Sequence, residues 1–244
     1  MNRTIDQFGR ADRDDTKTRI MDAAEMLFAE RGYEAASLRA ITAAAGANLA
    51  SINYHFGSKE ALLRAVMARR LVPLNLRRLE MLGRFEAEYD PAPVPVENIL
   101  RALLEPISSA ARSQEGSWQR FRLLVGRMYS EPTPRILAVF WGELSETAGR
   151  FQAAIRRACP HLQENELYWR VHFTVGAMAH TLSAGTFLEM LSRGKCDPSD
   201  IAEGVERLIA FAAAGFRAPA TEAPGGASGR PAESGRTGQQ GADL

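Results

Sequence analysis

The sequence predicts an all-α fold of about nine helices in two parts: an N-terminal three-helix unit with a helix-turn-helix, and a larger C-terminal helical bundle. Three observations carry this. Apolar residues recur at the helical period almost throughout, and no run of alternating β-branched residues marks a strand. Serine, threonine and asparagine stand where helices should start, and glycine where they should stop. The chain ends break this pattern. Residues 1–15 are polar and aperiodic and read as a flexible arm. Residues 218–244 are rich in Pro, Gly, Ala, Ser and charge, and read as a disordered tail that cannot bury enough apolar surface to offset its ordering entropy.

The first helix is expected over about 16–32, capped by Thr16, striped by Ile20, Ala24, Leu27 and Phe28, and ended by Gly32. A short helix over about 37–44 has Ser37 as its cap and Leu38 and Ile41 facing inward, with Gly46 after it. A third over about 48–54 starts at Asn48 and buries Leu49 and Ile52. Ser58 caps a fourth carrying Leu62, Leu63, Val66 and Met67. Pro73 should kink or end it before helix resumes to about 88. After the proline-rich break at 90–95, helices are expected at about 96–112, 116–130, 132–159, 164–193 and 199–216. The organisation is therefore an arm (1–15), a helix-turn-helix unit (16–62), a helical bundle (63–217) and a tail (218–244).

Composition bounds the function. With 244 residues, 45% of them hydrophobic, the chain can bury a sizeable core. Its formal net charge is only +1, so any affinity for nucleic acid must come from local placement of cations. No apolar run reaches the roughly 18 residues of a membrane span, and the N-terminus lacks the apolar segment of a signal peptide, so the expected location is the cytoplasm, with no membrane partner. Cys159 and Cys196 stand in neither a CxxC nor a metal-ligand pattern, and read as two reduced thiols. No cofactor or metal site is expected.

The short pair SLRAITAAAG and ANLASINYHF has helix-turn-helix geometry, and its second member is about two turns long, as a helix laid in a major groove should be. Ala47, Asn48, Ala50, Ser51 and Asn53 face outward. They are small or amide-bearing, so the backbone can come close to DNA and an Asn can pair bidentately with adenine. Tyr54 and His55 at the helix end, and Lys59 in the first turn of the next helix, can donate to phosphates, while Phe56 pegs the turn to the core beneath Leu27 and Phe28. Ser37 and Arg39 on the preceding helix complete the DNA-facing set. His55 as a catalytic base or metal ligand finds no support, since no His, Cys or carboxylate lies at ligand spacing on its face.

The stretch Ile20–Leu62 resembles the DNA-binding domain of the TetR family of bacterial repressors. The likeness rests on Ala23-Ala24, Leu27-Phe28, Arg31-Gly32, Ser37-Leu38, Ile41, Ala45-Gly46, Tyr54-His55-Phe56 and Lys59, with Met21 a core-compatible departure. It implies a ligand-responsive repressor, not an enzyme, that binds a palindromic double-stranded DNA operator as a homodimer and carries a C-terminal effector pocket. The tract Tyr168-Trp169-Arg170-Val171-His172-Phe173 with Val175-Gly176-Ala177, together with Arg120-Phe121-Arg122-Leu123-Leu124, resembles the fatty-acid-responsive, PsrA-like branch. That implies a long-chain fatty acid or acyl-CoA as effector and lipid-metabolism genes as targets.

The residues of the second half leave alternatives open. Trp118, Phe121, Val125 and Met128 on one helix, Phe140, Trp141 and Leu144 on the next, and Trp169, Phe173 and Gly176 further on fit either the wall of an apolar cavity capped by Arg122 or His172, or ordinary core. In the core reading His172 is a semi-buried hydrogen-bonded histidine, and Arg122 snorkels or pairs with Glu143. Helix 164–193 is apolar nearly all round, with Trp169, His172, Gly176, Ala179, His180 and Ser183 on one side and Val171, Val175, Met178, Leu182 and Thr186 on the other. One side should face its own subunit and the other a partner, in a four-helix interface with the last helix, or else the bundle is monomeric. Two rival functions stand beside the repressor. One is an effector-independent DNA-binding protein. The other is a helical-bundle small-molecule enzyme, against which stands the lack of any Glu-x-x-His pair or nucleophile–base set.

Overall fold

The computed structural model describes residues 3–220 except 114, 131 and 184, and those residues form ten α-helices and no strand. The expected tail beyond residue 220 lies outside the described residues.

The head is built from α1 (Arg3–Arg31), α2 (Leu38–Ala45), α3 (Leu49–His55) and the first turns of α4 (Lys59–Tyr89). Three successive helices start on side-chain caps. Ser37 Oγ accepts from Ala40 N at 3.1 Å, Asn48 Oδ1 from Ser51 N at 2.8 Å, and Ser58 Oγ from Ala61 N at 3.0 Å. Gly46 ends α2 at φ 60°, a left-handed conformation that a side chain would strain. The caps fix where each helix starts; burial fixes how they pack. Ile20, Ala24, Phe28, Ile41, Ile52, Leu62 and Val66 converge with no exposed surface, and each large apolar side chain so buried stabilises by about 1.5–3 kcal/mol.

The body consists of the rest of α4 with α5 (Val96–Ser113), α6 (Glu115–Ser130), α7 (Pro134–Ala158), α8 (Glu164–Ser183), α9 (Gly185–Ser192) and α10 (Ile201–Arg217). α5 packs on α4 and α10, α7 on α4, and α8 on α6 and α10, while α6 also lies along α1 and so ties the body to the head. Among the described residues no helix is long and apolar enough to cross a membrane.

Two expectations change. α1 starts at Arg3 and not near Thr16, so the stretch expected as a flexible arm joins the first helix from residue 3 on; no proline stands there to stop it. Pro73 does not interrupt α4. It lies on the exposed side, between the buried Leu71 and Leu74, so the hydrogen bond it removes is on the solvent face while packing holds the helix on the other. Over the span expected as one helix, 164–193, helix is described on both sides of residue 184, as α8 to Ser183 and α9 from Gly185.

Head and body are joined through charge as well as packing. Glu25 on α1 is only 1% exposed, and it accepts hydrogen bonds from Arg69 and Arg70 on α4, the latter at 3.1 Å; Arg69 also binds Asp22 at 2.7 Å. Removing one member of such a buried set strands the others, so Glu25→Ala should lower unfolding free energy by about 3 kcal/mol in urea titration. A loss near that of an exposed pair, roughly 0.5 kcal/mol, would mean that packing alone holds α1 to α4.

Candidate nucleic-acid interface and the cavity behind it

α3 is two turns long and turns one face to solvent. Asn48, Ala50, Asn53 and Tyr54 are exposed, Ala47, Ser51 and His55 are half-buried, and Ile52 alone on this helix is fully buried. Asn48 Oδ1 is committed to the cap, accepting from Ser51 N and, at 3.1 Å, from Ser51 Oγ, which leaves its amide N–H groups to face outward. Asn53 makes no side-chain hydrogen bond to the described residues and is the freer reader of a base edge. Tyr54 is 70% exposed and packs edge-on against His55, with ring centroids 5.0 Å apart. Ser37 and Arg39 are exposed at the start of α2, beside this surface. Phe56 is only partly buried, packed on the core without entering it.

Lys59 is more constrained than its expected role as a phosphate clamp requires. Its Nζ donates to the Glu34 carbonyl at 3.2 Å and sits 4.4 Å above the Tyr33 ring. Burial lowers its pKa, opposed by the nearby Glu34 carboxylate and reinforced by Arg135. The ammonium is thereby held at the start of α4 with donor capacity left over. Arg135, at the start of α7, reaches back to the head with Nε 3.6 Å from Glu60 Oε2.

Behind the head, α4, α5, α6, α7, α8 and α10 enclose a cavity of about 340 Å³, at the small end of the roughly 300–1,000 Å³ usual for ligand sites. α4 belongs to both regions: Leu62, Leu63 and Val66 lie in the head core, while Leu71, Leu74 and Arg78 line the cavity. Of the residues named from sequence, Trp118, Phe121, Arg122, Val125, Phe140, Trp141 and Leu144 line it. Met128 does not; it lies by a smaller hollow with Phe28, Tyr33 and Ile136. Trp169, His172, Phe173 and Gly176 are on the opposite, exposed face of α8. The stripe that turns inward is Val171, Val175, Met178 and Leu182, because α6 and α10 offer their apolar faces on that side. His172 is therefore no cap for the cavity. Arg122 is not paired with Glu143 either, and its Nε is buried without a partner.

Sequence reasoning missed Arg78, Tyr129, the α5 residues Leu100, Leu103 and Ile107, and Phe216 of α10. Arg78 had a signal: it stands in the inward stripe Leu71–Leu74–Leu82, where an apolar residue is expected. It is 5% exposed. Nε donates to Leu103 O at 2.8 Å and Nη1 to Asn75 Oδ1 at 3.0 Å, while Asn75 Nδ2 donates to Glu143 O at 2.8 Å. This chain of bonds ties α4 to α5 and α7 at the cavity wall.

The outer face of α8, α9 and α10 carries a large apolar surface, with Trp169 57%, Phe173 61% and Phe211 74% exposed. Trp169 and Phe173 stack, with centroids 5.6 Å apart. Ala179, expected on that face, is buried inside the chain, and the Ser183 side chain lies outside the described residues. Cys159 is buried and Cys196 exposed, both as thiols. Among the described residues no three His, Cys, Asp or Glu side chains are grouped to hold a metal.

Residues 20–66 match the family described as "Bacterial regulatory proteins, tetR family", and residues 101–215 match "Tetracyclin repressor-like, C-terminal domain". The chain is 40% identical over 52 residues to the HTH-type transcriptional regulator UidR of Escherichia coli strain K12, a match over 21% of this chain and 26% of that one. The chain thus spans about a quarter of that relative's length. Two solved structures share the fold. The fatty acid degradation regulator FadR from Bacillus halodurans has a TM-score of 0.53 at 16% identity, over 80% of this chain and 94% of that one. A SmeT–triclosan complex has a TM-score of 0.52 at 20% identity, over 80% and 90%.

Proposed function

Because the chain belongs to the TetR family of transcriptional regulators, we propose that it is a cytoplasmic repressor that binds a palindromic operator as a homodimer and is released by an apolar effector in the cavity. One observation supports this above the others: α4 carries the head core at one end and the cavity wall at the other, without a break at Pro73. A ligand that reshapes the wall must act on the helix that positions α3.

The chemistry at each end fits. On α3, Asn53 reads bases, while Tyr54, His55 and Lys59 hold phosphates. The partner for the exposed aromatic face of α8–α10 is a second copy of the chain, since a four-helix contact there covers Trp169, Phe173 and Phe211 together. Two recognition helices then stand roughly one DNA turn, 34–36 Å, apart. The effector is a long-chain acyl compound. Each methylene buried in an apolar wall contributes about 0.8 kcal/mol, and FadR, a structural neighbour, is described as a fatty acid degradation regulator. On that reading the targets are lipid-metabolism genes. To switch fully, the effector must prefer the DNA-incompetent shape by about 5.5 kcal/mol.

Three measurements test this. In gel-shift titrations, Lys59→Ala should weaken binding on specific and scrambled DNA alike and reduce the salt slope by about one phosphate's worth, whereas Asn53→Ala should relax sequence preference. An unchanged salt slope removes Lys59 from the contact. Saturated acids of about C12–C18 should release operator with potency rising with length, by the methylene increment; short acids should not. Val125→Trp or Leu144→Trp should abolish release and leave operator binding intact, and a response flat across chain lengths would refute the acyl assignment. Phe211→Glu should yield folded monomers in sedimentation that no longer bind operator. A substitution at Ala179 or Val205 would instead unfold the chain, because both are buried within it. A Phe211→Glu protein that stays dimeric places the interface elsewhere.

A further inference from the structure

Arg78 is a buried cation with no counter-ion among the described residues. Its acceptors, Leu103 O and Asn75 Oδ1, are neutral, and its Nη2 donates to no described residue. Burial lowers its pKa to about 10, with Tyr129 acting the other way, so it still carries its charge at neutral pH. Buried charges are ordinarily paired, because a guanidinium taken out of water is costly without an anion to meet it. Two further donors, on residues of α6 that line the cavity, are buried without a partner among the described residues: the indole N–H of Trp118, a residue only 6% exposed, and Nε of Arg122. Among the described residues no Asp or Glu lines the cavity. A mostly apolar wall, whose other polar residues are Tyr129, Thr147, Gln152 and Thr174, thus carries two arginines and, among the described residues, nothing acidic to receive them.

We infer that the cavity takes an organic anion, an acidic oxygen group on an apolar body, whose oxygens supply the counter-charge that Arg78 lacks. This rests on reading the cavity as the effector site, and it narrows the effector from any hydrophobe or thioester to a free acid. A thioester carbonyl brings no charge to Arg78. The acid also lands on the joint of α4. Arg78 can meet it through Nη2 while Nε and Nη1 hold Leu103 O and Asn75, and Asn75 is the residue that holds Glu143 O of α7. Charge recognition and the tie of α4 to α5 and α7 then share one guanidinium.

The test uses the full chain and two fluorescent probes that differ by one sulfonate: 8-anilino-1-naphthalenesulfonate and its uncharged parent N-phenyl-1-naphthylamine. Cavity binding is the part abolished by Val125→Trp. The wild-type cavity should prefer the anion by at least about tenfold, the least expected of a charge-assisted hydrogen bond. Arg78→Met should remove that preference and leave the neutral parent's affinity within about threefold, while Arg122→Met should keep it. A neutral parent bound as tightly as the anion by wild type overturns the inference. So does a preference that survives Arg78→Met or is lost only in Arg122→Met, and so does the absence of cavity binding by both probes. The wild-type comparison decides even if Arg78→Met does not fold. Operator release separates this inference from the reading beneath it. Release by dodecanoate and dodecanol alike refutes the acid requirement and keeps the effector site; anion preference without release by either does the reverse.

Discussion

Glu25 has left water, and the two arginines that replace its hydration come from successive positions of one helix. That contact sets the rest. Arg69 and Arg70 fix α4 against α1 just beyond the head core, and within two turns the same helix reaches Asn75 and Arg78, which fix it against α7 and α5. Buried polar groups of this kind are intolerant of partial satisfaction, since a stranded donor in a dry interior costs more than the bond it made. α4 is therefore held at two points by contacts that are either made or broken, the kind of joint from which a two-state element is built.

Apolar burial alone would not give this behaviour. The head core of Ile20, Phe28, Ile41 and Ile52 is fully buried and would keep its internal packing if α4 tilted as a whole. What a tilt would disturb are the directional bonds: Asn75 to Glu143, Arg78 to Leu103, and the Arg135–Glu60 pair between α7 and the base of the head. Dispersion and the hydrophobic effect set the stability of each half, while the polar contacts set the angle between them.

The head was legible in the sequence because its determinants are local. Ser37, Asn48 and Ser58 cap the helices they precede, Gly46 takes the left-handed turn, and most of the apolar residues at helical spacing are buried, whereas Leu49, expected inside, is 43% exposed. The cavity lining was legible in part on α6 and α7, where Phe121, Val125, Phe140 and Leu144 line it while Met128 turns toward the head. It was not legible on α8, whose apolar residues run all round; which face turns inward depends on α6 and α10, neighbours distant in sequence. Trp169, His172, Phe173 and Gly176 were assigned to the wall on the strength of their chemistry and lie outside it, while Val171, Val175 and Met178 line it. Pro73 misled for a similar reason, since a lost hydrogen bond breaks a helix only where nothing else holds it. Arg78 interrupts an otherwise apolar stripe, and that interruption was the trace of the joint.

The central claim is that ligand in the cavity changes the separation of the two recognition helices through α4. Pulsed electron–electron distance measurement on Ala50→Cys spin-labelled dimer, with the exposed Cys196 replaced by Ser and the buried Cys159 retained, reads that separation directly. The account predicts a dominant distance near one DNA turn, roughly 34–36 Å, in the free protein, and a shift of several ångströms, about the scale of a helix movement in a switching protein, at the dodecanoate concentration that releases operator. An unchanged distance distribution at that concentration would contradict it.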